Sequence, residues 1–258
     1  MSDNQILIHN AAYIITMDYE RRIIKNGSIL IENDRIAALG KMLDFSQLNV
    51  DKVINAQDMV ITPGFVNGHC HISYAHATRG IFPDDLGNDY LVNVFRLQDS
   101  MSPKEELLTS LLAITELLSY GTTTIMDPGS TKHVDLCMDA YEESGIRLIT
   151  GIQVTDRENP YRMAVYSHDD AIRTTESFIT EYNGSLEGRV YAWAMPFSPE
   201  YVGGTLLREL KLLSDQLNVG STLHVNNAGK FNSNVSTEPP VVALERHGFC
   251  GANVALAH

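Results

Sequence analysis

The chain has 258 residues, 44% of them hydrophobic, so it is long enough for one large domain or two small ones with a sizeable core. Its formal net charge of -13 repels phosphate backbones and anionic lipid, which excludes nucleic acids and membrane surfaces as partners. No stretch approaches the roughly 20 apolar residues of a membrane span. The three cysteines form no C-x-x-C pair, which is typical of reduced thiols in the cytoplasm.

Residues 1–60 show the pattern of a small β domain. Short apolar and β-branched runs alternate with turn signals, among them the pairs Asn26-Gly27 and Asn33-Asp34. The predicted strands are Gln5–Ile8, Tyr13–Met17, Gly27–Glu32, Arg35–Gly40 and Lys52–Asn55.

Residues 61–258 show a different pattern, in which strands alternate with helices. The predicted strands are Ile61–Asn67, Thr122–Met126, Arg147–Gln153, Arg189–Ala194, Gly220–Val225 and Ala252–Ala257. The predicted helices are Pro103–Ser119, Val134–Glu143, Asp169–Tyr182, Gly204–Leu217 and Pro239–His247. Such alternation predicts an α/β fold with parallel strands and right-handed crossovers.

Six parallel strands suit either a doubly wound sheet or a (β/α)8 TIM-type barrel that lacks two strands. The side chains that carry chemistry favour the barrel, because they follow the strands at their C-terminal ends, where barrel enzymes place reactive groups. They are His69, His71, Asp127, His224 and His258. A doubly wound sheet would have a glycine-rich phosphate loop after its first strand, and residues 68–71, Gly-His-Cys-His, are not such a loop.

His69 and His71 are the first candidate metal ligands. They are separated by one residue, so on an extended strand both imidazoles leave the same face and can share one Zn²⁺ or Fe²⁺. An isolated H-x-H is a weak signal. The preceding segment PGFVNG strengthens it.

Two segments, VINAQDMVITPGFVNGHCH (53–71) and ELLSYGTTTIMD (116–127), resemble the amidohydrolase superfamily. The similarity is to the branch of cytosine deaminase-like, S-adenosylhomocysteine deaminase-like and triazine hydrolase-like enzymes. RGIFPDDL (79–86), STLHVNN (221–227) and NVALAH (253–258) support it. The resemblance implies a β-sandwich built from both chain termini, with residues 1–60 as its N-terminal part, and a (β/α)8 barrel in 61–258.

The resemblance also implies a site and an activity. His69, His71 and His224 correspond to ligands of one divalent metal ion, Zn or Fe, and His258 to the residue that orients the attacking water or contacts substrate. No lysine occupies the fourth strand where binuclear relatives carry one, so a mononuclear site is implied. The expected enzyme is a metal-dependent hydrolase of non-peptide C–N bonds, an aminohydrolase of a small nitrogen heterocycle that uses metal-activated water. For the full-length form, a homodimer is expected.

The sequence departs from this family at three points. One is the fourth strand, where Ala194 and Met195 stand in place of the substrate-binding histidine that relatives usually carry just before the proline. The position of the proton-shuttling glutamate, three residues after His224, is Asn227, and an amide does not shuttle protons. The chain also ends after the sixth strand, before the strand that carries the fourth protein ligand, an aspartate. Two alternatives therefore remain open: hydrolysis of another leaving group, alkylamine or chloride, and a catalytically inactive fragment or binding protein.

Two further residues are weaker candidates. Asp127 ends the second strand, and a loop-fixing carboxylate is the favoured interpretation over a residue of the barrel mouth. His76, five residues after His71, is a candidate for the wall of the substrate pocket.

Overall fold

The computed structural model describes residues 4–41, 50–225 and 238–258. Two compact units divide the chain, Met1–Gly64 and Phe65–His258. Among the described helices, none combines the length and the apolar character needed to cross a lipid bilayer.

The first unit is a mixed five-stranded sheet. Its strands are β1 (Gln5–Ile15), β2 (Ile23–Glu32), β3 (Arg35–Lys41), β4 (Lys52–Asn55) and β5 (Val60–Ile61). The order is β3-β2-β1-β4, with β5 also paired to β1; β1, β2 and β3 are antiparallel, and β4 and β5 run parallel to β1. Ala11, Ile14, Ile29 and Ala56 form its buried core.

Two sequence predictions in this unit differ from the structure. One strand, β1, replaces the two predicted strands, because a bulge between Ile8 and Ala11, with Asn10 at φ +59°, lets the chain continue in the same ladder. The pair Asn26-Gly27 lies inside β2 instead of in a turn. A Cβ at Gly27 would lie 2.6 Å from Ile14 Cδ1, so a larger residue there would displace the Ile14 side chain. The Asn33-Asp34 turn between β2 and β3 is confirmed.

The second unit is α/β, and every strand pair in it is parallel. Its strands are β6 (Phe65–Asn67), β7 (Thr122–Met126), β8 (Arg147–Thr150), β9 (Gln153–Val154), β10 (Val190–Ala192), β11 (Met195–Pro196), β12 (Ser221–His224) and β13 (Val254–Ala257). β6, β7, β8 and β10 pair in that order, β9 pairs with β11, and β12 pairs with β13. An isolated β-bridge between Ala194, which lies between β10 and β11, and Ser221 links these two strands to β12. The second unit thus has six parallel strand positions in sequence order: β6, β7, β8 with β9, β10 with β11, β12 and β13.

Helices connect these strands. They are α1 (Ala75–Thr78), α2 (Asn88–Ser100), α3 (Pro103–Ser119), α4 (Val134–Ser144), α5 (His168–Tyr182), α6 (Ser185–Gly188), α7 (Gly204–Gln216) and α8 (Pro240–Arg246), and a 3₁₀ turn covers Asp84–Leu86. The predicted bounds of α3 are confirmed. Ser102 Oγ accepts from the Glu105 N–H at 3.3 Å, and the Glu105 carboxylate accepts from the Ser102 N–H at 2.7 Å, which is a complete capping box.

The helices pack on one face of the strands and leave the other face for the site. Leu223 of β12 is buried against Leu206 and Leu210 of α7. Because successive strand residues point to opposite faces, His224 projects away from the helices. The same alternation sets Leu148 of β8 against the helix side.

Candidate metal centre

Four histidines meet at the C-terminal ends of the strands of the second unit. His69 and His71 lie in the segment after β6, His224 is the last residue of β12, and His258 directly follows β13. The first two do not extend the strand as the sequence predicts. β6 ends at Asn67, whose Oδ1 accepts from the His69 N–H at 3.2 Å and turns the chain.

Three of these imidazoles are arranged to hold one ion. One ligand atom from each of His69, His71 and His224 lies within 4.8 Å of the others. The Nε2 atoms of His71 and His224 are 3.2 Å apart. Two nitrogens bound to one tetrahedral Zn²⁺ at 2.0–2.1 Å are separated by about 3.3 Å, so this spacing fits a shared ion.

The unpaired ring nitrogens support the same assignment. Both nitrogens of His69 and the Nδ1 atoms of His71 and His224 are buried and have no hydrogen-bond partner among the described residues. Buried polar atoms without partners are costly, and a cation bound to one nitrogen of His69 would satisfy that atom. The Nδ1 atoms of His71 and His224 belong to rings whose Nε2 atoms face the proposed ion, so the same ion does not satisfy them. The donor set, three imidazoles, is the one that Zn²⁺ and Fe²⁺ accept.

Burial keeps these imidazoles neutral, as metal ligation requires. Burial lowers the pKa of His224 to about 3, helped by the neighbouring His69 and His258. Burial, together with the charges of the other three histidines, holds the pKa of His71 well below its usual range, and burial also lowers the pKa of His69. Cys70 lies outside the ligand group, and burial raises the pKa of its thiol to about 11, so it stays protonated at neutral pH.

His258 completes the cluster from its exposed side. Its ring centroid is 5.2 Å from that of His69 and 5.4 Å from that of His224, and it stacks on the latter at 23°. It is exposed, whereas His71 and His224 are largely enclosed. Asn227, the other predicted catalytic residue, lies outside the described residues.

The two weaker candidates have structural roles. Asp127 is fully buried, and its carboxylate accepts from Ser130 at the start of the next loop, so the loop-fixing interpretation is confirmed. His76 does not line the pocket. Its Nε2 lies 2.9 Å from the Glu116 carboxylate and joins α1 to α3.

A cavity of about 470 Å³ opens beside the histidines, and its walls are mainly apolar and aromatic. Tyr74 stacks on the His71 ring at 5.1 Å between centroids. Phe197 lies 5.7 Å from the His224 ring, and Phe95 of α2 closes the wall next to both aromatics. Such walls fit a flat, apolar ring.

Sequence reasoning missed this wall because it missed α2. The signal was present, since residues 91, 94, 95 and 98 (Leu, Val, Phe and Gln) follow the i, i+3, i+4, i+7 spacing of a helix face. Leu91, Val94 and Phe95 from this face line the cavity.

Comparison with known proteins identifies the family. The model of the amidohydrolase family matches residues 60–238, which is more than half of the chain. The chain belongs to the amidohydrolase family. The resemblance seen in the sequence is therefore confirmed.

Individual relatives agree with this membership. The chain is 34% identical to a 5'-deoxyadenosine deaminase from Methanobrevibacter smithii, over 100% of this chain and 57% of that protein. The structure of an atrazine chlorohydrolase from Arthrobacter aurescens complexed with zinc matches this chain with a TM-score of 0.81 and 22% sequence identity. The match covers 98% of this chain and 60% of that protein. The structure of an adenosine deaminase from Xanthomonas campestris with bound zinc matches this chain with a TM-score of 0.81 and 20% sequence identity. The match covers 98% of this chain and 57% of that protein. The chain thus spans slightly more than half the length of these relatives.

Proposed function

We propose that this chain is the metal-binding portion of a metal-dependent hydrolase that cleaves non-peptide C–N bonds and removes the amino group of a nitrogen heterocycle. The convergence of ring nitrogens from His69, His71 and His224 within 4.8 Å carries this proposal. Family membership and the deaminases among the relatives support it. His69, His71 and His224 are the proposed ligands.

The residues around the ligands have two proposed roles, proton transfer and substrate binding. A divalent metal in this site supplies Lewis acidity and an activated water. We assign His258 to proton movement, because its ring lies beside the ligand rings and lines the cavity: a ring nitrogen takes a proton from the attacking water or returns one to the departing amine. Tyr74, Phe95 and Phe197 bind the flat ring of the substrate and exclude water from it.

Asn227 supports a second candidate, hydrolysis of a different leaving group. Its amide donates and accepts hydrogen bonds but does not carry a proton, and ammonia leaves only after protonation. Chloride leaves without a proton, and an atrazine chlorohydrolase is among the structural relatives. An alkylamine, like ammonia, leaves only after it is protonated, so this argument favours chloride.

A second proposal concerns the complete fold, and the same relatives support it. We infer that the six parallel positions of the second unit belong to a (β/α)8 barrel and that the sheet of the first unit belongs to a composite β-sandwich. The support is the consecutive parallel order of the strands and the TM-scores of 0.81 over nearly the whole chain.

Metal analysis followed by substrate turnover tests the function. The purified chain should bind one zinc per molecule, and the zinc-loaded chain should release ammonia from a 6-aminopurine nucleoside such as 5'-deoxyadenosine. A His258→Ala variant should keep the zinc and lose ammonia release. Chloride release from a chlorotriazine without ammonia release would favour the second candidate. A chain that retains no zinc after gel filtration refutes both.

A further inference from the structure

We propose that Phe95 is a specificity-determining residue. Its ring separates the cavity beside the metal-site histidines (the histidine cavity) from a second, larger cavity, and thereby limits the substrate to heterocycles without a long side chain. The inference rests on the proposed function and deepens it, because it concerns which heterocycles the same site takes. It also brings in a cavity that has no part in the proposed mechanism.

The second cavity is the larger of the two. Its volume is about 850 Å³, against about 470 Å³ for the histidine cavity. It lies in the same unit, between the loops that follow β7 and β9 and the helices α4 and α5. Phe95 is the only described residue that lines both cavities. The wall that they share is therefore at this residue.

Ring contacts show that the Phe95 side chain forms this shared wall. Its centroid lies 5.7 Å from that of Tyr74, which lines the histidine cavity alone. It lies 5.2 Å from that of Tyr161, which lines the second cavity alone. Aromatic rings at these separations are in contact. Phe95 is also 5% exposed, so the three rings together close the way between the cavities.

Hydrogen bonds hold α2, and with it Phe95, in place. Gln98, three residues after Phe95, is buried, and its Nε2 donates to the carbonyl oxygen of Ser130 at 2.7 Å and to Ser73 Oγ at 3.1 Å. These acceptors lie in the loops after β7 and β6, so the helix is tied to both loops. A substrate would displace α2 only by breaking these buried hydrogen bonds, which is costly.

Phe95 stands on the side of the histidine cavity that is remote from the metal ligands. Its ring contacts Tyr74, which stacks on His71. It also contacts Phe197, which lies beside His224. A heterocycle whose amino-bearing carbon lies at the histidines therefore directs its opposite end toward Phe95. A long substituent on that end meets the Phe95 ring.

The two cavities also differ in charge. Among the described residues that line the histidine cavity, none is a lysine, arginine, aspartate or glutamate, whereas the second cavity has side chains of both signs. They are Lys132, Asp135, Arg162, Arg173 and Glu181. A charged tail would have counter-charges in the second cavity and no ionic side chain beside it in the first. Exclusion of such a tail therefore has an electrostatic cause in addition to the steric one.

Two nucleosides that share the adenine ring and the sugar test the inference. 5'-Deoxyadenosine has no substituent on its 5' carbon, and S-adenosylhomocysteine carries a zwitterionic thioether tail there. For the zinc-loaded wild-type chain, kcat/KM for ammonia release should be at least about 100-fold higher with 5'-deoxyadenosine, because one excess methylene group in a pocket already costs about 10–200-fold. Phe95→Ala should reduce this preference to about tenfold or less, because it joins the two cavities.

Phe178→Ala is the matched control. Phe178 lies on α5, is 4% exposed and lines the second cavity alone, so its removal enlarges that cavity and leaves the wall at Phe95 closed. The preference of this variant should stay within about twofold of wild type. Zinc dissociation constants should stay within about twofold of wild type in both variants, since neither residue is in the ligand group.

The outcomes separate the inference from the proposed function. Equal turnover of the two nucleosides by the wild-type chain, an unchanged preference in Phe95→Ala, or an equal change in Phe178→Ala overturns the role of Phe95 alone. If the alanine variants do not fold, Phe95→Leu should reduce the preference at least about threefold and Phe178→Leu should not; no difference between them overturns the inference.

Equilibrium dialysis gives the same comparison from the dissociation constants of the two nucleosides if turnover is too slow to measure. A wild-type chain that neither binds nor deaminates 5'-deoxyadenosine contradicts the proposed function, and the inference is then refuted with it.

Discussion

Removal of the His71 imidazole should weaken zinc binding by about two orders of magnitude. His71 Nε2 lies 3.2 Å from His224 Nε2, so the alanine variant loses one of two nitrogens that face each other across the proposed ion position. Four-ligand zinc sites bind with about 10–16 kcal/mol, so one ligand contributes about 3 kcal/mol, which is about 100-fold in Kd.

The control for His71→Ala is His76→Ala. His76 belongs to the same segment, and its side chain is 8% exposed, but its Nε2 bonds to Glu116 and lies outside the ligand group. Its removal should cost stability and leave the zinc Kd within about twofold of wild type, since no ligand is lost. Chelator competition measures both variants under the same conditions. Equal zinc affinity in His71→Ala and wild type, or equal losses in both variants, would refute the ligand assignment.

Three further predictions concern pH, catalysis and packing. Because burial lowers the pKa of His224 to about 3 from the ordinary 6.5, its contribution to stability is complete above about pH 6.5 and is lost as the pH falls towards 3, by roughly 1 kcal/mol per pH unit. Chemical denaturation of the metal-free chain should show at least this slope, because the lowered pKa values of His69 and His71 act in the same direction, and a flat profile between pH 6.5 and 4 contradicts it. If deamination is limited by proton transfer, Asn227→Glu should increase ammonia release by about a hundredfold, which is the lower end of general acid–base effects; no gain together with reduced chloride release would favour the chloride reaction. Gly220→Ala should lower the free energy of unfolding by about 1–3 kcal/mol, because its Cβ would lie 2.3 Å from the Trp193 ring. Gly68→Ala, with nothing within 4 Å, is the neutral control in the same thermal melt, and equal melting temperatures would show that Trp193 yields freely.

Local signals predicted part of the fold from the sequence. The bounds of α3 follow from its own residues, Ser102, Pro103 and Glu105, which form a capping box without help from the rest of the chain. The positions of His224 and His258 follow from strand order, because parallel strands bring their C-terminal ends to one edge.

Contacts between distant residues decided the rest. The predicted third strand breaks in two, giving β8 and β9, and the predicted fourth strand, Arg189–Ala194, contains β10 alone, with β11 beyond its predicted end. At the break in the third strand Gly151 approaches the Trp193 carbonyl oxygen so closely that a Cβ would lie 2.4 Å from it, and nothing within residues 147–153 indicates that approach.

The contact between His71 and His224 spans 153 residues of chain. An ion bound to both would close a loop of that length, and the chain-entropy estimate for such a cross-link is about 5 kcal/mol at 25 °C, before any strain. Zinc would therefore act as a removable staple across most of the second unit. The site would form only when β12 has come to lie beside the segment after β6. The rate of zinc binding during refolding would therefore report the rate of the last stage of folding.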